Sequence, residues 1–104
     1  MINWDRVTEL VNEIDAEDFQ EIVTLFLEEV EDAMEEIQDI EAPSDLRDKI
    51  HFLKGSMLNL GFEDVGRFCQ AAEANLPATP VDLALLATKY QASKVEFLEN
   101  IPKA

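Results

Sequence analysis

In the run His51-Phe52-Leu53-Lys54-Gly55-Ser56-Met57-Leu58-Asn59-Leu60-Gly61, apolar residues recur at Leu53, Met57 and Leu60, and the series extends back through Ile50 to Leu46. Steps of three and four are the period of a helix with one buried face. The spacing predicts a helix over residues 44–60, with Gly61 placed to end it in the left-handed conformation. Ala42-Pro43-Ser44 marks its beginning, with either Pro43 in the first turn or Ser44 as the cap.

The same period runs outward in both directions. A short segment over residues 4–12 carries Trp4, Val7, Leu10 and Val11 and would close one end of the core. Asp15 reads as the cap of a helix over residues 16–40, with Glu17 and Asp18 in its first turn. Its apolar stripe is Phe19, Ile22, Val23, Phe26, Val30, Ala33, Ile37 and Ile40. After Gly61, Val65, Phe68, Cys69 and Ala72 point inward from a helix over residues 62–76, and a turn follows over 75–79. Thr79-Pro80-Val81-Asp82 supplies a cap, a proline at the first helical position and an acid. The last helix then runs to residue 99 with Val81, Leu85, Thr88, Ala92, Val95 and Leu98 inward. The expected fold is all-α: an antiparallel four-helix bundle with an additional short N-terminal helix, one domain over residues 1–104. A longer coiled coil has the same stripes, but the prolines at 43, 77 and 80 argue against it.

The formal net charge of -15 argues against nucleic acid as a partner, because that affinity rests on Lys and Arg neutralising phosphates. It equally disfavours an anionic membrane surface. The N-terminal MINWDRV has neither a basic region nor an apolar run, and no stretch is apolar enough to span a bilayer. One Cys and one His are too few for a structural zinc site or an internal disulfide. These features predict a cytoplasmic, monomeric chain without a cofactor of its own. No glycine-rich phosphate loop is present to support nucleotide binding.

Charge is unevenly placed. No Lys or Arg lies between Val7 and Leu46, and then Arg47, Lys49 and Lys54 arrive together, with Arg67 to follow. On a helix, His51 shares a face with Arg47, Lys54 and Gly55. It stands beside the inward positions Ile50 and Leu53, so exposure is expected. A glycine within a helix costs about 1 kcal/mol relative to alanine, and Gly55 needs a reason. It is either a close contact with a neighbouring helix or clearance beside the imidazole. Lys54 is either a solvated surface lysine or a mobile charge one turn from His51, and Ser56 reads as structural. A neutral imidazole is a good nucleophile near neutral pH. No Ser or Cys nucleophile is arranged beside it and no carboxylate pair is singled out by spacing, whereas accepting a phosphoryl group fits the inventory without missing parts, provided a partner brings the metal and the aspartate.

The segment His51-Phe52-Leu53-Lys54-Gly55-Ser56, followed by Leu60-Gly61, resembles the H-x-L-K-G-S motif and Leu-Gly helix end of the histidine-containing phosphotransfer (HPt) domains of two-component phosphorelays. The likeness extends over most of the chain, through the early short helix, Phe26 with the acids after it, and Cys69 followed by Ala72-Glu73. Phe62 stands where a small residue is frequent in that family, and Val65 and Ala72 where leucine is common.

The resemblance implies that His51 accepts a phosphoryl group from a phospho-aspartate of a response regulator receiver domain and passes it to another receiver aspartate. Lys54 would be the basic neighbour, Gly55 the clearance glycine, and Arg47 or Lys49 a further source of positive charge. Receiver domains and a hybrid histidine kinase would be the partners, with Mg2+ in the receiver. The chain would be neither kinase nor hydrolase. Phe52, Leu58 and Phe62 are candidates for a docking patch, with plain core filling as the alternative and the expected role of Leu58. Two alternatives stand beside this reading: a helical adaptor that binds a receiver or kinase without accepting phosphate, and the HPt portion of a larger hybrid kinase. The start at Met1 and the short tail after Leu98 favour a freestanding protein.

Overall fold

The computed structural model describes residues 2–14, 16–76 and 78–101. Five helices follow one another: α1 Trp4–Glu13, α2 Ala16–Glu36, α3 Pro43–Leu60, α4 Glu63–Asn75 and α5 Leu83–Asn100. Asp15, expected to cap α2, lies outside the described residues. The helices α2 to α5 form the bundle, each packed on the next in sequence. Glu31 closes the ring by accepting from Tyr90 Oη and Lys94 Nζ, both at 2.6 Å, which ties α2 to α5.

Local chemistry explains the boundaries. The second helix stops at Glu36 and tightens into a 3-10 turn over Ile37–Asp39, short of the expected residue 40. Pro43 occupies the first turn of α3 and holds Ala42 extended (ψ 128), which forbids a continuous helix across the corner. Gly61 ends α3 at φ 90, and the Phe62 amide returns to the Met57 carbonyl at 2.8 Å. α5 begins later than expected: Asp82, not Thr79, is its cap, and the carboxylate accepts from the Leu85 amide at 2.9 Å.

The core contains Val7, Leu10, Phe19, Val23, Leu27, Val30, Ile37, Ile50, Leu53, Met57, Leu60, Phe62, Val65, Cys69, Leu86, Tyr90 and Phe97. The α3 stripe is as expected. On α5 the expected face is wrong. Leu86, Tyr90, Ser93 and Phe97 are buried, while Leu85, Val95 and Leu98 are exposed. Apolar residues lie all round α5, so two phases differing by one residue fit the period almost equally. The two large rings decide between them, because Phe97 and Tyr90 both pack on Phe62, with centroids 5.3 and 6.1 Å apart. Phe62 is thereby fully buried and is no part of a docking patch.

α1 covers the end of the bundle where α3 turns into α4. The Asn3 amide donates to the Gly61 carbonyl at 2.7 Å, Arg6 reaches the Asn59 carbonyl at 3.0 Å, and Trp4 stacks on Phe97 at 6.2 Å. α3 and α4 are the most intimately packed pair. Gly66 permits this, since a Cβ there would sit 2.4 Å from Leu58 Cδ2.

Candidate functional site: an exposed histidine bridged to α4

Ile50 and Leu53 are wholly buried, and this rotates His51 to the rim of α3, where its side chain is 66% exposed. Among the described residues the ring has one hydrogen-bond partner. Glu73 projects from α4, and its Oε1 lies 2.9 Å from His51 Nδ1. An ionised carboxylate only accepts, so Nδ1 carries the proton and donates it. In the neutral ring the second nitrogen, Nε2, therefore holds the lone pair. The carboxylate selects the tautomer and the orientation of the imidazole together.

Lys54 completes a bridge. Its Nζ lies 2.9 Å from Glu73 Oε2, an oxygen shut off from solvent that has no well-aligned hydrogen bond of its own. The ammonium beside Glu73 holds its carboxyl below the usual carboxylate range, and the hydrogen bond from His51 acts in the same direction against partial desolvation. His51 and Lys54 do share the expected face, but they meet through one carboxylate from the neighbouring helix. Cys69 lies one turn before Glu73 and is fully buried. Burial pushes its thiol up to about 12, with the Glu73 charge adding to the effect, so it offers no nucleophile.

Arg47 and Lys49, the other basic residues of α3, have partners on adjacent elements. Arg47 donates to the Leu76 carbonyl at 2.5 Å and so fastens the end of α4. Lys49 pairs with Glu36 at 2.7 Å and links α3 to α2. Each is thus held by a neighbouring element, and Arg47, bound to a neutral carbonyl, keeps its charge. Their positions on the helix suit contacts with adjacent elements, which spacing along α3 alone does not reveal.

Gly55 faces open space: a Cβ built there meets nothing within 4 Å. The close-packing explanation for this glycine is therefore excluded among the described residues. The position one turn beyond His51 is bare, which leaves the imidazole approachable. Phe52 and Leu58, at 43% and 39% exposure, are the large apolar side chains near it on α3. Leu58 divides its surface between solvent and the Gly66 notch.

Glu73 is the residue that reading α3 alone overlooked as part of the site. A signal for it existed. Val65 and Cys69 begin a row at steps of four along α4, and the next position in that row is an acid. An acid continuing a buried row needs a cationic or hydrogen-donating neighbour.

Fold and site together define a helical scaffold that presents one oriented, largely exposed imidazole at the rim of α3. The sequence matches the family model of the Hpt domain over residues 21–96, a span that includes His51, Lys54, Gly55 and Glu73. The chain belongs to the Hpt domain family. It is a phosphotransfer module of two-component systems and not a kinase or a hydrolase. Members of the family work with receiver domains and kinases in phosphorelays. No match was found among curated proteins or among solved structures. No helix of the described residues is long and apolar enough to cross a membrane.

Proposed function

We propose that His51 is the phosphoryl acceptor and that the chain relays phosphate between receiver domains. The observation that carries this is the tethered imidazole: Glu73 at 2.9 Å from Nδ1, with the rest of the ring exposed. Nε2 attacks the phosphorus of a phospho-aspartate on a receiver. The Nε2–P bond forms, the P–O bond to the aspartate breaks, and the aspartate leaves as a carboxylate. The Nδ1 proton stays in place, and the imidazolium that forms is paired with Glu73. The reverse sequence delivers the group to a second receiver aspartate.

Lys54, paired with the same carboxylate that holds His51, is the nearby cation that would oppose the charge of the incoming phosphoryl oxygens. Bare Gly55 admits the partner surface, and proximity of the two reacting residues supplies much of the rate. In this reading Mg2+ belongs to the receiver, where it balances charge on the phosphoryl group. The reading further takes residues 1–104 as one monomeric cytoplasmic module that a hybrid histidine kinase feeds through a receiver.

The experiment is transfer of label from phosphorylated receiver domains of the same organism, read after mild alkali, which spares phosphohistidine and cleaves phospho-aspartate. Label should appear on the wild type and be absent from His51→Gln. Binding of an active phospho-receiver without label on the wild type would instead establish a binding-only adaptor.

A further inference from the structure

A hollow of about 380 Å³ opens at the corner where the 3-10 turn meets α3, lined by Ile40, Asp45, Asp48, Lys49 and Phe52. Asp45, Asp48 and Phe52 follow one another on α3 at steps of three and four and so share a face, and Asp48 is also one turn before His51. The hollow therefore adjoins the reacting imidazole.

Its charges do not cancel internally. Lys49 is committed to Glu36 at 2.7 Å. Neither Asp45 nor Asp48 has a hydrogen bond or ion pair among the described residues. Asp45 lies in the first turn of α3, where the helix N-terminus favours an acid. Asp48 is a turn further in, and that explanation does not extend to it. Phe52 presents an exposed ring with no aromatic neighbour among the described residues.

We propose that this hollow receives a cationic side chain, by preference an arginine, from the receiver domain that docks over His51. The proposal rests on the phosphotransfer reading and adds to it the chemistry of the partner's surface. A guanidinium stacks on a ring face while its fork donates to carboxylates, and it sheds water more readily than an ammonium. An apolar side chain in the same place would leave two carboxylates desolvated and unpaired, and an acidic one would be repelled. Among the described residues no group of three acidic, His or Cys side chains is arranged to hold a metal ion. An ion pair one turn from the reacting nitrogen sets the register in which a receiver sits, and it discriminates between receivers that do and do not carry the basic residue.

The test uses the full chain and the receiver domain that labels His51 fastest. Affinity for the unphosphorylated receiver is measured by calorimetry at low and at raised salt, for wild type, Asp45→Asn/Asp48→Asn, Phe52→Leu and a control. The control is Glu17→Gln/Glu21→Gln, the same change in charge on exposed positions of α2. Fifteen residues separate Glu21 from Glu36, which is about 22 Å of helix. Circular dichroism melts verify that each variant folds.

The Asp45/Asp48 pair should lose about tenfold in affinity at low salt and show a shallower salt dependence, against less than about twofold for the control. Phe52→Leu should lose severalfold. In transfer kinetics the half-saturating receiver concentration should rise while the rate at saturation holds. Equal losses in the two charge variants would reduce the effect to general electrostatics and overturn the proposal. Tighter binding by Asp45→Asn/Asp48→Asn would overturn it in favour of an apolar occupant. A wild type that no receiver labels would sink the relay reading and this one with it, whereas labelling with an unchanged affinity in the aspartate variant would sink this one alone.

Discussion

Replacing Gly55 should make the protein more stable and a poorer relay. Gly55 lies within α3, five residues from its C-terminal end, and a Cβ there meets nothing within 4 Å. The substitution thus introduces no clash and buries no surface, and only backbone propensity remains. Gly→Ala inside a helix is worth about 1 kcal/mol, part of it from the narrower unfolded ensemble. For a domain of this size that corresponds to a rise in Tm of about 4–8 °C. Gly55→Gln should be stabilised somewhat less, since glutamine is nearly as good a helix former. The same Cβ, and far more the glutamine side chain, occupies the space over which a receiver must approach His51. Transfer from a phospho-receiver, followed by rapid quench, should slow by at least about tenfold in Gly55→Gln, equivalent to about 1.4 kcal/mol in the barrier. Labelling by a small donor such as phosphoramidate needs no broad approach and should fall much less. A destabilised Gly55→Ala would show that the fold itself needs the glycine. Wild-type transfer by Gly55→Gln would refute the clearance argument outright.

Other expectations follow from the same geometry. Glu73→Ala removes the acceptor of the Nδ1 proton, so imidazole nitrogen NMR shifts of His51 should move toward the Nε2-protonated tautomer, and receiver transfer should slow while the helical circular dichroism is kept. Tyr90→Phe deletes a 2.6 Å hydrogen bond to Glu31 and should cost about 1 kcal/mol in urea unfolding at neutral pH, discounted because Glu31 is partly exposed. The Lys94 ammonium and then the Tyr90 hydroxyl hold the Glu31 carboxyl below its ordinary value. That contribution is present at pH above the unfolded carboxyl value and is lost as pH falls through the lower folded one, so the gap between wild type and Tyr90→Phe should narrow in acid. Gly61→Ala forces a Cβ onto a residue at φ 90 and to 2.9 Å from the Asn3 carbonyl, and should destabilise by about 2 kcal/mol or more in the same assay.

Much of this molecule is legible from local rules. The α3 stripe, the Gly61 stop and the exposure of His51 follow from a period of 3.6 residues and from backbone sterics, both of which act within a few neighbours along the chain. For the same reason the motif His51-Lys54-Gly55 could be read before any packing was known. The inward face of α5 could not. Its residues are apolar on several sides, and Phe62, from another helix junction, selects Tyr90 and Phe97 over Leu85 and Val95. Nor could the partners of the charges: Arg47 and Lys49 turn to Leu76 and Glu36, and Glu73 arrives from 22 positions away to grip His51. Sequence alone determined a helical bundle bearing one accessible imidazole. Tertiary structure decided which nitrogen of that ring is held and which is presented, because the hydrogen bond that makes the choice exists only once α4 lies against α3.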